Sequence, residues 1–223
     1  MARLPADPEG FIRANTALET PSMVPEFKLW LATEYVPIWQ ATEAWLEEQN
    51  VDPPYWAFCW PGGQAIARYL LDHPLEVRGK RVIDFAAGSG VSAMAAMRAG
   101  ALSVIANDID AMSLAATRLN AVANHLKVEL SGEDWLAGPD ATPDTDVVIA
   151  GDVCYERDMS ARALAWLRGH ANAGRLVLLG DPGRNYFSAQ GLQERARYDI
   201  PTSLQLENRG MRETVVWRVL PYP

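Results

Sequence analysis

The run Arg81-Val-Ile-Asp-Phe-Ala-Ala-Gly-Ser-Gly90 restricts the possible folds more than any other stretch of the chain. Its first half is apolar and β-branched, the composition of a strand buried on both faces. Gly88 and Gly90 follow at once, then a small-residue segment, 91–99, closed by Gly100. The spacing predicts a strand, a tight turn and a helix. Glycines in the turn allow left-handed backbone angles and close approach of a ligand, while the helix N-terminus beyond them offers unpaired N–H groups. A second apolar run, 103–107, ends on Asp108. A carboxylate at the C-terminal edge of such a strand can accept both hydroxyls of a ribose. The unit reads as half of a nucleoside-binding site.

Gly88-x-Gly90-x-x-Ala93, with Asp108 about 20 residues on, also satisfies a loose dinucleotide fingerprint, so a nicotinamide enzyme stands as a rival. Asp84 separates the two readings. An acid inside the end of the first strand crowds a pyrophosphate but suits a cationic ligand that carries an amino acid. S-adenosylmethionine has an ammonium, a sulfonium and no phosphate. The pattern Asp84-x-x-x-Gly88-x-Gly90 resembles the first motif of the seven-strand methyltransferases, which usually place another glycine where this chain has Ala86.

A chain of 223 residues, 49% of them hydrophobic, can bury a full core as one domain or as a domain with a small appendage. No apolar run approaches the roughly 18 residues needed to span a bilayer, and the proline-rich, acidic start has no signal-peptide core. These features predict a cytoplasmic protein without membrane contact. Cys59 and Cys154, each in an apolar stretch, are expected as reduced buried thiols. His73, His125 and His170 cluster neither with them nor with each other, so no metal site is expected. The net charge of −8 repels phosphate backbones and disfavours nucleic acid as a partner.

Residues 1–52 are expected to form a helical extension or cap, and 53–223 the catalytic domain. The first 20 or so positions show weak periodicity and are expected along the surface. Phe27, Leu31, Tyr35, Ile38 and Trp45 then recur at helical spacing, with Pro37 dividing the stretch into two helices. Trp30, Trp39 and Trp45 either pack this cap onto the core or meet a partner. The loop around Trp60-Pro-Gly-Gly leads into a helix over 64–71. There Trp60 either covers a cofactor, with Gly62 and Gly63 letting main chain come close, or plugs the core.

A helix over 111–124 with Leu114, Arg118, Leu119 and Val122, and a short strand over 128–130, precede Asp134 and Trp135. These two either meet an adenine, Asp134 at the exocyclic amine and Trp135 against the ring, or form an acidic surface turn. A buried strand over 146–151 runs into Asp152-Val-Cys-Tyr155-Glu156. A helix over 159–170, a strand over 175–180, a helix over 190–197 and strands over 198–206 and 214–220 complete the pattern. The alternation predicts an α/β fold with a doubly wound, mostly parallel sheet and an antiparallel closing strand.

Ligands of such sheets sit beyond the carboxyl ends of the strands, where Asp84, Asp108 and Asp152 all fall. With the first two holding the cofactor, Asp152 and Tyr155 face the transferable methyl. The stretches Pro54-Tyr-Trp-Ala-Phe-Cys-Trp-Pro-Gly-Gly-Gln-Ala, Asp84-Phe-Ala-Ala-Gly-Ser-Gly, Asn107-Asp-Ile-Asp, Gly151-Asp-Val-Cys-Tyr-Glu and Gly180-Asp-Pro-Gly-Arg resemble those of the family-16 protein lysine methyltransferases. Within that family they are most similar to the enzymes acting on the electron transfer flavoprotein β subunit and their bacterial relatives.

The resemblance implies a Rossmann-like, class I seven-stranded fold and S-adenosylmethionine as cofactor. It implies cofactor contacts from Trp60, Gly62 and Asp108; with Asp84, Gly88, Ser89, Gly90, Ile109, Asp134 and Trp135 from the reading of the residues above, these make up the expected cofactor set. It also places Asp152-x-x-Tyr155 at a lysine channel as the catalytic pair. The implied substrate is the β subunit of electron transfer flavoprotein, modified by a monomeric enzyme. A methyltransferase of another protein or small molecule, and a binding module that keeps the cofactor without the reaction, remain alternatives. Arg184 and Tyr186 receive no role here, because Asp181-Pro-Gly-Arg also reads as a loop-shaping turn.

Overall fold

The computed structural model describes residues 5–32, 54–137, 142–202, 207 and 210–222. In chain order the elements are α1 (Pro8–Asn15), β1 (Ala17–Glu19), β2 (Leu29–Leu31), α2 (Pro61–Asp72), β3 (Arg81–Phe85), α3 (Val91–Arg98) and β4 (Ser103–Asn107). Then follow α4 (Ala111–Ala123), β5 (Glu129–Ser131), β6 (Val147–Gly151), α5 (Arg157–Asn172), β7 (Leu176–Asp181), β8 (Leu192–Pro201) and β9 (Met211–Val219). The main sheet has seven strands in the order β5-β4-β3-β6-β7-β9-β8. Its first five strands are parallel, and β9 inserts antiparallel between β7 and β8.

Two apolar layers sandwich the sheet, and the two-residue period of a strand sorts side chains between them. Val82, Val147, Ile149 and Leu178 join α2 and α3 on one face. Ile83, Phe85, Val148, Ala150, Val177 and Leu179 meet α5 on the other. Asp84 has the same parity as Val82, so its carboxylate points to the α3 side.

The N-terminal segment differs from expectation. Positions 8–15 form a helix capped by Asp7, which accepts from the Gly10 N–H, and Ile12 is fully buried in a third apolar cluster with Trp56, Met112, Ala116 and Leu119. Leu29–Leu31 is a strand antiparallel to β1 rather than the first turn of a helix. Side chains of α4 and of its C-cap pin it there: Asn120 Oδ1 accepts from the Trp30 N–H at 2.7 Å, and Asn124 Oδ1 from the Lys28 N–H at 2.9 Å. The remaining markers of the expected helices, Tyr35, Pro37, Ile38, Trp39 and Trp45, lie outside the described residues.

The helix expected over 190–197 is also a strand. Gln-Glu-Arg-Ala-Arg favours a helix locally, but pairing of β8 with β9 from Leu192 to Pro201 overrides that preference. A register shift between Glu194 and Ala196 interrupts the alternation by which the strand could have been read. Among the described residues no helix is long and apolar enough to cross a membrane.

Candidate active site

Asp84, Asp108 and Asp152 end or follow three adjacent strands, β3, β4 and β6, at the point where strand order reverses. Asp84 is buried, and its Oδ2 accepts from the Ala93 N–H at the start of α3, 2.8 Å away. Burial pushes its carboxyl up to about 8, the bond from Ala93 opposing the rise. Burial likewise raises Asp108 to about 6, against the pull of N–H bonds from Asp110 and Gly88. A buried and a half-buried carboxyl held up in this way favour a cationic ligand.

The turn between β3 and α3 is built from left-handed residues: Ala86 (φ 55°), Gly88 (φ 52°) and Gly90 (φ 76°). At Gly90 a Cβ would also strike Thr117 Cγ2 at 2.6 Å, whereas at Gly88 it would meet nothing within 4 Å. The loop is therefore packed on its inner side and open at Gly88. Helix α4 holds it there: Thr117 Oγ1 donates to the Gly88 carbonyl (3.1 Å) and Asn120 Nδ2 to the Ser89 carbonyl (2.9 Å). Asp108 Oδ2 accepts from the Gly88 N–H at 3.0 Å, tying the loop to the end of β4. These residues fit S-adenosylmethionine, with Asp84 and Asp108 as the acids and the main chain of 86–90 as the cradle. When bound, it supplies an electrophilic methyl on a sulfonium.

Asp152 takes a left-handed backbone (φ 57°), an angle that Asp tolerates better than most residues. Its N–H donates to the Gly180 carbonyl (2.9 Å), and its Oδ2 accepts from the Gly63 N–H at the N-terminus of α2 (3.2 Å). Oδ1 accepts from Arg184 Nε (3.1 Å) and Nη2 (2.7 Å). Burial raises the carboxyl, and the Arg184 charge opposes this.

The mouth beside it is aromatic. Tyr155 is 46% exposed, its ring 5.4 Å from that of Tyr55. Tyr55 lies 6.1 Å from Trp60, whose Nε1 donates to the Tyr55 carbonyl (2.8 Å). Burial raises the Tyr155 phenol, which keeps it protonated at neutral pH. Trp60 stands at the N-cap of α2, half-buried, with Arg184 5.4 Å over its ring.

Of the other expected cofactor residues, Gly62 and Trp135 pack against protein, while Asp134 and Ile109 lie at the surface. Gly62 approaches protein main chain, packing against Asp152 and Gly180 where β6 and β7 end. Trp135 is 1% exposed and sits in the core beside Trp166, ring centroids 6.3 Å apart, so its faces are closed to a ligand. Asp134 lies in the turn before it, accepting from the Leu136 N–H and 3.7 Å from Arg162. Ile109 is 74% exposed beside Asp108, an uncovered apolar side chain at the rim. Cys59 and Cys154 are free thiols, the first only half-buried, the second buried and pushed up to about 12 by burial.

Sequence reasoning left Arg184 without a role and missed Glu207 and Tyr55. Asp181 does shape the loop, its Oδ1 accepting from the Gly183 and Arg184 N–H groups at 2.7 Å. A cation directly after a buried parallel strand was the available signal for Arg184. Glu207 reaches the site only through the β8–β9 pairing and carries no such signal.

The sheet order, the left-handed loop and the paired strand-end acids define a class I S-adenosylmethionine-dependent methyltransferase. The ribosomal protein L11 methylase from Lactobacillus delbrueckii subsp. bulgaricus shares the fold at TM-score 0.53 and 22% identity, over 84% of this chain and 94% of that one. So does magnesium protoporphyrin IX methyltransferase from Synechocystis PCC 6803 with bound SAM, at TM-score 0.52 and 16% identity, over 71% and 77%. Residues 68–152 match the model of the ribosomal protein L11 methyltransferase (PrmA) family. The chain belongs to the electron transfer flavoprotein β-subunit lysine methyltransferases: it is 38% identical over 221 residues to the Xenopus laevis member, covering 96% of this chain and 87% of that protein.

Proposed function

We propose that the protein transfers methyl groups from S-adenosylmethionine to lysine ε-amines of the electron transfer flavoprotein β subunit. Membership of the family carries the substrate, and the arrangement around Asp152 carries the chemistry. A lysine amine attacks only when neutral, and at pH 7 deprotonation costs roughly 4 kcal/mol, about three pKa units. A half-closed aromatic mouth lowers that cost by desolvating the ammonium. An Asp152 carboxylate has about four acceptor sites, so those left by Arg184 and Gly63 can orient the amine. The Tyr155 phenol stands at the rim as a second orienting group.

Asp84, Asp108 and the Gly88–Gly90 main chain serve the cofactor in this reading, with Trp60 and Ile109 bordering it. Trp135 acts by packing. The free thiols of Cys59 and Cys154 support a reducing, cytoplasmic setting. The net charge of −8 supports a substrate other than nucleic acid.

The test is transfer of labelled methyl from S-adenosylmethionine to purified electron transfer flavoprotein, with Asp152→Ala in parallel and the sites read by mass spectrometry. Label on β-subunit lysines, lost in the variant, is expected. Label only on another protein in a lysate would keep the chemistry and discard the substrate. Cofactor binding with no transfer anywhere would leave a binding module.

A further inference from the structure

The ion pair between Asp152 and Arg184 extends into a longer charged chain. Arg184 Nη2 stands 2.7 Å from both Asp152 Oδ1 and Glu207 Oε1, and its Nη1 is 3.1 Å from Glu207 Oε2. Glu207 Oε2 also accepts from Arg212 Nε of β9 at 2.8 Å. The Glu207 side chain is 2% exposed, and those of Arg184 and Asp152 are 14% and 11% exposed. Buried ions at this depth are costly unless paired, and removing one partner strands the other. Three segments distant in sequence thus meet at one guanidinium: the turn after β6, the loop after β7, and the segment between β8 and β9.

We propose that Arg184 is the positioning residue for Asp152, gripping its Oδ1 opposite the Gly63 N–H, and that Glu207 sets the strength of this grip by competing for the same guanidinium. The inference rests on Asp152 being the group that meets the substrate amine. Arg184 suits the task because a planar fork can serve two carboxylates in one fixed geometry, whereas a lysine offers a point charge. Its stacking over Trp60 links Asp152 to the aromatic mouth. Other groups electrostatically coupled to Asp152 are Glu207, Asp181 at the end of β7, and the thiols of Cys59 and Cys154. Arg212 acts through Glu207. Of these, Arg184 lowers the Asp152 carboxyl and Glu207 raises it, so removing either partner moves it in opposite directions.

The test follows Asp152 directly, by 13C-carboxyl NMR titration of aspartate-labelled protein with Asp152→Asn identifying the resonance, alongside the pH profile of kcat. Arg184→Met is expected to shift the Asp152 titration, and with it the acid limb of kcat, upward by about one pH unit. Glu207→Gln is expected to shift both downward, and Arg184→Lys to restore part of the wild-type position. At pH 7, kcat of Arg184→Met should fall roughly 10–100-fold. S-adenosylhomocysteine affinity, the check on folding, should stay within about threefold. A merely structural Arg184 would lower activity without moving the titration, and an unmoved resonance in a folded Arg184→Met variant overturns the proposal. If that variant does not fold, Glu207→Gln decides by the direction of its shift. Shifted titrations in the variants, with a wild-type protein that methylates nothing, would sink the function and leave the positioning intact.

Discussion

A Cβ on Gly62 would stand 2.7 Å from the backbone nitrogen of Asp152 and 2.5 Å from its Oδ2. The second position of α2 is thus pressed main chain to main chain against the turn that carries the candidate catalytic acid. Gly62→Ala must push α2 away from the ends of β6 and β7, since no flexible side chain is there to yield except that of Asp152 itself. Overpacking against backbone costs about 3 kcal/mol or more. Gly63 differs: its Cβ would meet Val91 Cγ1 at an ordinary 3.4 Å. Urea melts should show Gly63→Ala near wild type and Gly62→Ala strongly destabilised, with methyl transfer lost even at temperatures where the variant stays folded.

Asp84 predicts how cofactor affinity depends on pH. Its folded-state carboxyl sits up at about 8, above the ordinary aspartate range, because it is buried. In the ligand-free protein this contributes stability fully below the unfolded value near 3.9 and loses it as pH rises toward 8. A cationic ligand favours the ionised form, so binding releases a proton and affinity rises with pH. Calorimetry with S-adenosylmethionine should show tightening of up to about tenfold between pH 6 and 7. Asp84→Asn, which can still accept from the Ala93 N–H, should bind more weakly and with a flatter profile. An unchanged slope in the variant would remove Asp84 from the cofactor site.

The unit from β3 to Asp108 was legible in the sequence because its signals are local: an apolar run, glycines at left-handed positions and acids at strand ends. Contacts that span the sheet were not. The Arg184–Asp152 pair joins residues 32 positions apart and exists only because β6 and β7 are neighbours. On α4 the apolar pattern pointed to Val122, which is 66% exposed. Beside Leu119, which the pattern placed correctly in the core, the buried face carries Thr117 and Asn120, with Asn124 at the C-cap, polar side chains spent on loop and strand main chain. Trp135 shows the same limit, since composition alone cannot say whether a tryptophan after a strand faces a ligand or the core.

Ala86 is where this chain departs from the usual methyltransferase loop, and its φ of 55° shows the cost. A left-handed angle costs an alanine about 1–2 kcal/mol, while a glycine there would lose about 0.5–1 kcal/mol more backbone entropy on folding. The two nearly offset, which explains why alanine is tolerated. Ala86→Gly should therefore lie within about 1 kcal/mol of wild type, on the stabilising side. Ala86→Val, β-branched at the same angle, should lose more than about 2 kcal/mol. Thermal unfolding of the three proteins checks the order, and a Val variant as stable as the Gly variant would show that the turn can relax out of its left-handed form.

Asn120 joins the glycine loop after β3 to β2. It is fully buried, receives the Trp30 N–H on Oδ1 and donates through Nδ2 to the Ser89 carbonyl. Asn120→Ala leaves a buried donor and a buried acceptor unpaired, at about 1–3 kcal/mol for each. The loss should fall on both sides of the helix. Hydrogen exchange should quicken at Trp30, and S-adenosylhomocysteine should bind roughly tenfold more weakly because the Ser89–Gly90 main chain is no longer held. Asn120→Asp separates the two effects: its carboxylate still accepts from Trp30 but repels the Ser89 carbonyl. It should therefore keep β2 protected while still weakening the cofactor, and equal protection and affinity in both variants would show that α4 does not hold the loop through this residue.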